Sequence, residues 1–465
     1  MEKFDVIVVG AGPGGYPAAI RAAQLGAKTA LIEREALGGT CLNWGCIPTK
    51  LLLAGAEFYH EVRHADRLGL QTEGARFDYA KLWQRKNEVV EQLRNGIRTL
   101  LKGNGVTAIK GTASFLTPRR LAVQREREPL VLEAERIILA TGSRSVRPRL
   151  FPASSRILDS RAFLDQDRMP ATLLIVGGGI IGCEFACLAA RLGVSVTLVE
   201  MLPDILAILD PDVRREVRRT MERQLGIRLR CGAPIEEVRE EHDRVRCRIG
   251  DEWIDAEQVL VAVGRAPVTE GLGIERIGLS LLPSGHIETD GYLRTRHASI
   301  FAIGDLIPGP QLAHRATAEG LTAAWNATQR HPESRPTLIP SAIFTAPEVG
   351  TVGLSEEEAK QRGQAIRVGK FPFAALGKAL AIGRADGFVK WIADAGTGQL
   401  LGAQAVGPAA SDLIAEAAVA IQGEWTADEF GRVVHAHPTL AEAWMEAAHV
   451  LEGRPVHIPG EKKTR

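Results

Sequence analysis

The chain has 465 residues, 45% of them hydrophobic, enough for two to four domains with their own cores. Its 57 basic and 56 acidic residues leave a net charge of +1, so the overall charge does not ask for nucleic acid, another polyanion or an anionic membrane. Six cysteines are too few for a secreted disulfide scaffold, and no uncharged apolar run reaches the roughly 18–20 residues that cross a bilayer, so a cytoplasmic location is expected.

The N-terminus, "MEKFDVIVVGAG", lacks a basic leader region and carries Asp5 inside its apolar run, so it reads as a strand entering a glycine turn. From Phe4 to Glu33 the pattern is strand, glycine turn, helix and second strand. Gly10, Gly12 and Gly15 form G-x-G-x-x-G, and Glu33 follows at the distance where an acidic side chain meets a ribose. Such glycines let the backbone turn tightly and let N–H groups approach a pyrophosphate at a helix N-terminus.

"GGTCLNWGCIPTK", Gly38 to Lys50, follows with Cys41 and Cys46 five residues apart. Residues five apart do not face each other on a regular helix, so closing a bond here needs distortion, which Gly45 and Pro48 ease. A metal site would need a second ligand pair. No second cysteine pair has metal-like spacing, although His435 and His437 could be recruited; no metal is expected. A structural disulfide and a redox couple both remain open, and in a cytoplasmic chain a bridge is more often catalytic.

Leu82, Val89, Val90, Leu93, Ile97 and Leu100 recur at helical spacing and predict an amphipathic helix over 79–101, ended by Gly103 and Gly105. "RIILATGSRSVRP" predicts a buried strand ending in Thr141-Gly142. The first pattern then repeats. Leu173 to Glu200 places Gly177, Gly179 and Gly182 before Glu200 with the same interval as Gly10 to Glu33. Cys183 and Cys187, one turn apart, read as small buried helix residues. "QVLVAVGRAP" copies the earlier strand-then-glycine pattern, so the two halves look like related nucleotide-binding domains. Short strands are expected over 287–306 and a helix over 309–327. An α+β unit from Ser341 onward includes strands 387–394 and 399–407 and a helix over 412–422. Two dinucleotide sites and one closable thiol pair together favour an electron relay.

"GGTCLNWGCIPTK" closely resembles the redox-active disulfide motif of the class I flavin-dependent pyridine nucleotide–disulfide oxidoreductases. The resemblance extends through both fingerprints, "ATG", "VGRAP", "FAIGD" and "HAHPTLAEA", over essentially the whole chain. It implies an α/β fold: two Rossmann-like dinucleotide-binding domains plus a C-terminal α+β dimerisation domain. FAD would be held by 1–145 and 273–340, NAD by 146–272, and the dimerisation domain would span 341–465. Within the family, "HPTLAEA" resembles the branch that oxidises dihydrolipoamide to lipoamide with NAD+. That substrate would ride on a lipoyl domain of an acyltransferase or H-protein, in 2-oxo acid dehydrogenase or glycine cleavage complexes.

By the same resemblance, Gly10, Gly12, Gly14, Gly15 and Glu33 would hold tightly bound FAD, with Gly39, Thr40, Ala113, Thr141, Gly142, Asp305 and Ala313. Cys46 would lie against the flavin, and Cys41 would be the outer sulfur that substrate attacks. Lys50 would sit by the reactive flavin nitrogen, paired with Glu184. Gly177, Gly179, Gly182, Glu200 and Gly264 would bind NAD. Glu200 would repel a 2′-phosphate, and no arginine stands directly after it to accept one, which favours NAD over NADP. His437 matches the family's base and Glu442 the carboxylate that orients it. The family implies a cis His437–Pro438 bond and a homodimer in which this histidine reaches the other subunit's disulfide. Mercuric reductases and large thioredoxin reductases use a further C-terminal cysteine pair, absent from Glu452 to Arg465. Glutathione reductase-like activity and a non-catalytic flavin-binding relative are the alternatives.

Overall fold

The structure, a computed structural model, describes residues 2–71, 74–126 and 128–460. Strand β1 (Glu2–Val9) enters helix α1 (Gly15–Gln24), and β2 (Thr29–Glu33) returns parallel to it with Ile32 opposite Val9. Next come α2 (Gly39–Trp44), α3 (Cys46–Arg63), α4 (Tyr79–Gly103), β3 (Thr107–Lys110), β4 (Thr112–Thr117), β5 (Arg120–Gln124) and β6 (Leu130–Leu139). The sheet order is β3-β2-β1-β6-β5-β4. Val6 to Val9 are buried in its middle, as apolar parallel strands require when both faces are covered. The Asp78 side chain caps α4 by accepting from the Lys81 N–H at 3.1 Å.

The chain then crosses to a second unit through β7 (Ser143–Ser145), β8 (Ile157–Leu158) and α5 (Ser160–Leu164). The repeated pattern folds as β9 (Thr172–Val176), α6 (Ile180–Arg191) and β10 (Ser195–Glu200). After α7 (Pro211–Arg223) and β11 (Arg228–Cys231) comes an antiparallel trio, β12 (Glu237–Glu240), β13 (Val245–Ile249) and β14 (Glu252–Ala256). β15 (Gln258–Val261) completes a parallel sheet of order β11-β10-β9-β15-β8. β16 (Arg265–Pro267) pairs antiparallel with β7, so a two-stranded ribbon ties the units together. Cys183 and Cys187 are fully buried on α6, as small core residues.

β17 (Ile300–Ala302) returns to the first sheet beside β6. Over 287–306 it is the only full strand, where several were expected. Asp290 Oδ1 accepts from the N–H groups of Tyr292 and Arg294, and Leu293 takes φ +67°, so a tight turn replaces extended backbone. α8 (Ala313–Thr328) starts later than the expected helix, because Gly309 (φ +135°) and Pro310 hold the preceding segment out of it. The C-terminal unit comprises β18 (Ser341–Ile343), β19 (Glu348–Gly353), α9 (Glu356–Gln361), β20 (Ile366–Pro372), α10 (Gly377–Ala381), β21 (Phe388–Asp394) and β22 (Leu400–Gly407). Helices α11 (Ala410–Gln422), α12 (Ala427–Gly431) and α13 (Glu442–Leu451) follow, and the antiparallel order is β18-β19-β22-β21-β20. α11 begins two residues before the expected Asp412. No helix among the described residues is long and apolar enough to cross a membrane.

A buried ion cluster joins this unit to the second. Lys390 of β21 is fully buried, and its Nζ lies 3.0 Å from Asp210, 2.9 Å from Asp212 and 2.6 Å from Glu356. Burial pulls this lysine down, but the three carboxylates outweigh that and hold it above its ordinary pKa.

Candidate active site

Both glycine loops obey one steric rule. A Cβ on Gly10 (φ +101°) would lie 2.3 Å from Ala140 O, and one on Gly177 (φ +109°) 2.4 Å from Ala262 O. Gly15 and Gly182 close each turn, where a Cβ would stand 1.8 and 1.9 Å from the carbonyl oxygens of Gly10 and Gly177. The middle glycines differ: Gly12 meets only Gly39 Cα at 4.0 Å, and Gly179 meets nothing within 4 Å. The fold therefore demands the outer glycines and leaves the middle ones facing open space, as a backbone approached by a pyrophosphate must be. The acidic ends match as well. Glu33 Oε2 accepts from the Ala11 N–H at 2.7 Å, and Glu200 Oε2 from the Gly178 N–H at 2.5 Å.

Gly14 is placed differently. A Cβ there would lie 2.9 Å from Ala316 O, and one on Gly320 would lie 2.2 Å from Gly14 O, so close packing of α1 on α8 requires both glycines. Gly39 (φ +59°) backs onto Gly12, and Thr40 is half-buried on α2. Ala113 is buried on β4, Ala313 begins α8, and Thr141 donates its hydroxyl to Val268 O at 2.6 Å. Gly142 (φ +69°) and Gly264 (φ +127°) have nothing within 4 Å of a built Cβ. Asp305 sits in the short turn after β17 and accepts from the Ser143 hydroxyl at 2.5 Å.

The redox loop breaks where its sequence allows. α2 ends at Trp44, α3 starts at Cys46, and Gly45 between them has φ −143°, ψ −114°. Pro48 falls in the first turn of α3, where its missing N–H costs little. The break brings Cys41 and Cys46 together as free thiols in hydrogen-bond contact. The Cys41 hydrogen bond, helped by Lys50, overcomes burial and lowers Cys46 to about 7. Cys41, which donates that bond and is half-buried, is pushed up and stays protonated.

Lys50, one turn along α3, reaches Glu184 of α6 at 2.8 and 2.9 Å, and Glu184 is only 3% exposed. Glu184 Oε1 also accepts from the Phe344 N–H at 3.0 Å, and the Phe344 ring lies 4.7 Å from Lys50 Nζ. Trp44 stacks under the Arg161 guanidinium at 3.9 Å, and Arg161 pairs with Glu35 at 2.6 Å.

On the C-terminal unit, His437 Nδ1 lies 2.9 Å from Glu442 Oε1, and Glu442 Oε2 accepts from the Thr439 N–H at 2.8 Å. Burial pushes Glu442 up, but Thr439 and His437 outweigh it and hold the carboxyl below its usual range. The His437 side chain is 76% exposed and that of Glu442 15%. The His437–Pro438 bond is cis. α13, which carries Glu442, packs on α12, β20 and β21, whereas the redox helices pack on α4 and α6. The structure thus unites Cys41, Cys46, Lys50 and Glu184, and places His437 with Glu442 on a separate element. Phe344, Thr439 and Ser143 take part in these contacts, Arg265 Nε donates to Ser143 Oγ at 2.8 Å, and the sequence assigned none of the four a role. Arg265 lay within the quoted "VGRAP", but nothing there signals which groups it meets.

Residues 4–320 match the pyridine nucleotide–disulphide oxidoreductase family, and residues 339–448 match that family's dimerisation domain. The chain belongs to the pyridine nucleotide–disulphide oxidoreductase family. Among its relatives, the dihydrolipoyl dehydrogenase of Chlamydia muridarum is 43% identical over 468 residues, covering 99% of this chain and 100% of that one. The dihydrolipoyl dehydrogenase of Geobacillus stearothermophilus is 41% identical over 461 residues, covering 98% of each. Of solved structures, LpdA from Mycobacterium tuberculosis superposes with TM-score 0.90 at 28% identity over 97% of this chain and 99% of that one. The HOCl-induced flavoprotein disulfide reductase RclA from Escherichia coli gives 0.86 at 27% over 95% and 98%. Family membership brings FAD and NAD as cofactors, and the two glycine loops, each with an open middle glycine and an acidic end, fit two dinucleotides. The dimerisation domain supports a homodimer.

Proposed function

We propose that this chain oxidises dihydrolipoamide to lipoamide with NAD+, the substrate being carried on a lipoyl domain of an acyltransferase or H-protein. A cytoplasmic setting belongs to the same reading. The carrying observation is the thiol pair at the α2–α3 break, where Cys46 is lowered to about 7 beside Lys50 and Cys41 stays protonated. Such a pair is poised to open and close by thiol–disulfide exchange.

From the oxidised pair, His437 of the partner subunit takes the proton of one substrate thiol, and the resulting thiolate attacks Cys41 Sγ. The Cys41–Cys46 bond breaks, and Cys46 leaves as a thiolate, a departure favoured by its low pKa and the Lys50 charge. As the second substrate thiol attacks the substrate sulfur of the mixed disulfide, the bond to Cys41 breaks and that thiol's proton passes to the departing Cys41 sulfur. Lipoamide leaves, and the first proton remains on the His437 imidazole. The reduced pair is then a Cys41 thiol donating to the Cys46 thiolate, a state that the contact between the two side chains supports. Glu442 fixes Nδ1 of His437 and supports its charge, leaving Nε2 for substrate. Bound FAD supplies the two-electron chemistry that returns the pair to the disulfide, with NAD+ as the final acceptor.

Initial rates with dihydrolipoamide plus NAD+, compared with oxidised glutathione plus NADPH, test this reading. The first combination is expected to turn over faster; faster reduction of glutathione with NADPH would overturn the substrate assignment. Glu200, 9% exposed with its two oxygens bonded to the Gly178 and Leu202 N–H groups, supports NAD because a 2′-phosphate would meet this carboxylate.

A further inference from the structure

Arg265, at the start of β16, belongs to the nicotinamide half of the chain, yet its guanidinium is spent on the other half. Its Nε donates to Ser143 Oγ at 2.8 Å, and one terminal nitrogen donates to Ser143 O at 2.7 Å. Among the described residues it forms no ion pair. An arginine only donates, so Ser143 Oγ must accept from it, and the single serine proton must go elsewhere. It goes to Asp305 Oδ2, 2.5 Å away. The polarity of the chain is thereby fixed from Arg265 through Ser143 to Asp305, which is held as an acceptor.

Both ends of this relay are pinned. β16 and β7 are paired strands, and the Val146 N–H meets Gly264 O at 2.9 Å while the Val268 N–H meets Gly142 O at 2.8 Å. Asp305 follows Gly304, whose N–H is held by buried Glu319 at 2.7 Å. Burial holds the Arg265 guanidinium below its ordinary pKa, with Asp305, Cys46 and Asp159 opposing that.

We propose that Arg265 is a positioning residue for the flavin: through Ser143 it orients the Asp305 carboxylate, leaving its second oxygen for a hydroxyl of the cofactor's sugar-alcohol chain. The nicotinamide half thereby helps hold the cofactor of the other half. This rests on the reading of the chain as an FAD enzyme.

The test is flavin release, read as free-FAD fluorescence on dilution of the purified holoenzyme. Ser143→Ala should weaken FAD binding about tenfold, since a hydrogen bond to a charged group is lost. Ser143→Thr, which keeps the hydroxyl, should stay within about twofold. Arg265→Met should match Ser143→Ala, and the double variant should be no weaker than Ser143→Ala alone, because both changes cut one relay. Wild-type retention by Ser143→Ala, a loss in Ser143→Thr as large as that in Ser143→Ala, or losses that multiply in the double variant would each overturn the proposal. A colourless wild-type protein would instead sink the flavoenzyme reading beneath it, and this inference with it.

Discussion

At Cys46 the thiol proton is held less tightly than in an ordinary cysteine, and the causes are local. Cys41 donates to its sulfur, and Lys50 faces it from one turn along α3. In the reduced protein, thiolate ultraviolet absorbance should therefore rise with a midpoint near pH 7, below the ordinary value near 9. Because these partners favour the charged form, removing either must move the wave to higher pH. Lys50→Met should do so, and Cys46→Ser should abolish the wave; an unmoved midpoint in Lys50→Met would show that the lysine does not act on the sulfur. His437 makes a second test. His437→Gln should lower dihydrolipoamide turnover about 10²–10⁴-fold, the usual contribution of a positioned base. Reduction of the bound flavin by NADH, which does not use this proton, should keep its rate. Cys41, Cys46 and Lys50 were marked in the sequence by one short motif and His437 by another, each through its resemblance to the family. Ser143 and Arg265 were not, since they stand 122 positions apart and meet only when β7 pairs with β16.

Between elements, what the sequence marked as a distorted loop is a clean break of one helical run into α2 and α3. It was legible because glycine and proline announce it. A Cβ on Gly45 would lie 2.9 Å from Thr40 O, so the break is also sterically tied to glycine. The Lys390 joint was not legible: a single lysine inside an apolar strand gives no sign that α7 and α9 will bring three carboxylates to it, within 4.8 Å of one another. Lys390→Met removes the fully buried cation and leaves the three carboxylates with Lys370, 3.1 Å from Asp212, still paired to one of them, which should cost about 3–5 kcal/mol in denaturant unfolding. The pH dependence should change sign. Burial opposes ionisation of Asp212, but Lys390 and Lys370 outweigh it and hold the pKa below its ordinary value. In the wild type this stabilisation is present above the unfolded carboxylate pKa and is lost as pH falls through the folded one. In Lys390→Met the carboxylates repel, so mild acid should restore stability. A variant that loses stability with acid as the wild type does would show that the lysine does not neutralise the cluster.

Over the whole molecule, the two halves of the chemistry sit on different units, and the expected strands and helices fold with local shifts except over 287–306, where a turn replaces expected strand. Within the chain the thiol pair and His437 stand on separate elements, and the His437 side chain is 76% exposed on the dimerisation domain. Exposed apolar side chains lie nearby in that unit, with Val434 94% and Val419 68% exposed, as a face that a second copy covers would show. If His437 serves the thiol pair of the other subunit, two inactive variants can repair each other. Cys41→Ser removes the sulfur and His437→Gln the base. Dissociating an equal mixture and letting it re-form should yield half heterodimers, each with one doubly defective site and one intact site. Activity should return to about a quarter of the wild-type level. If each histidine served its own chain, every site in the mixture would keep one defect, and no activity would return. The assay separates the two arrangements because recovery requires a site assembled from both chains.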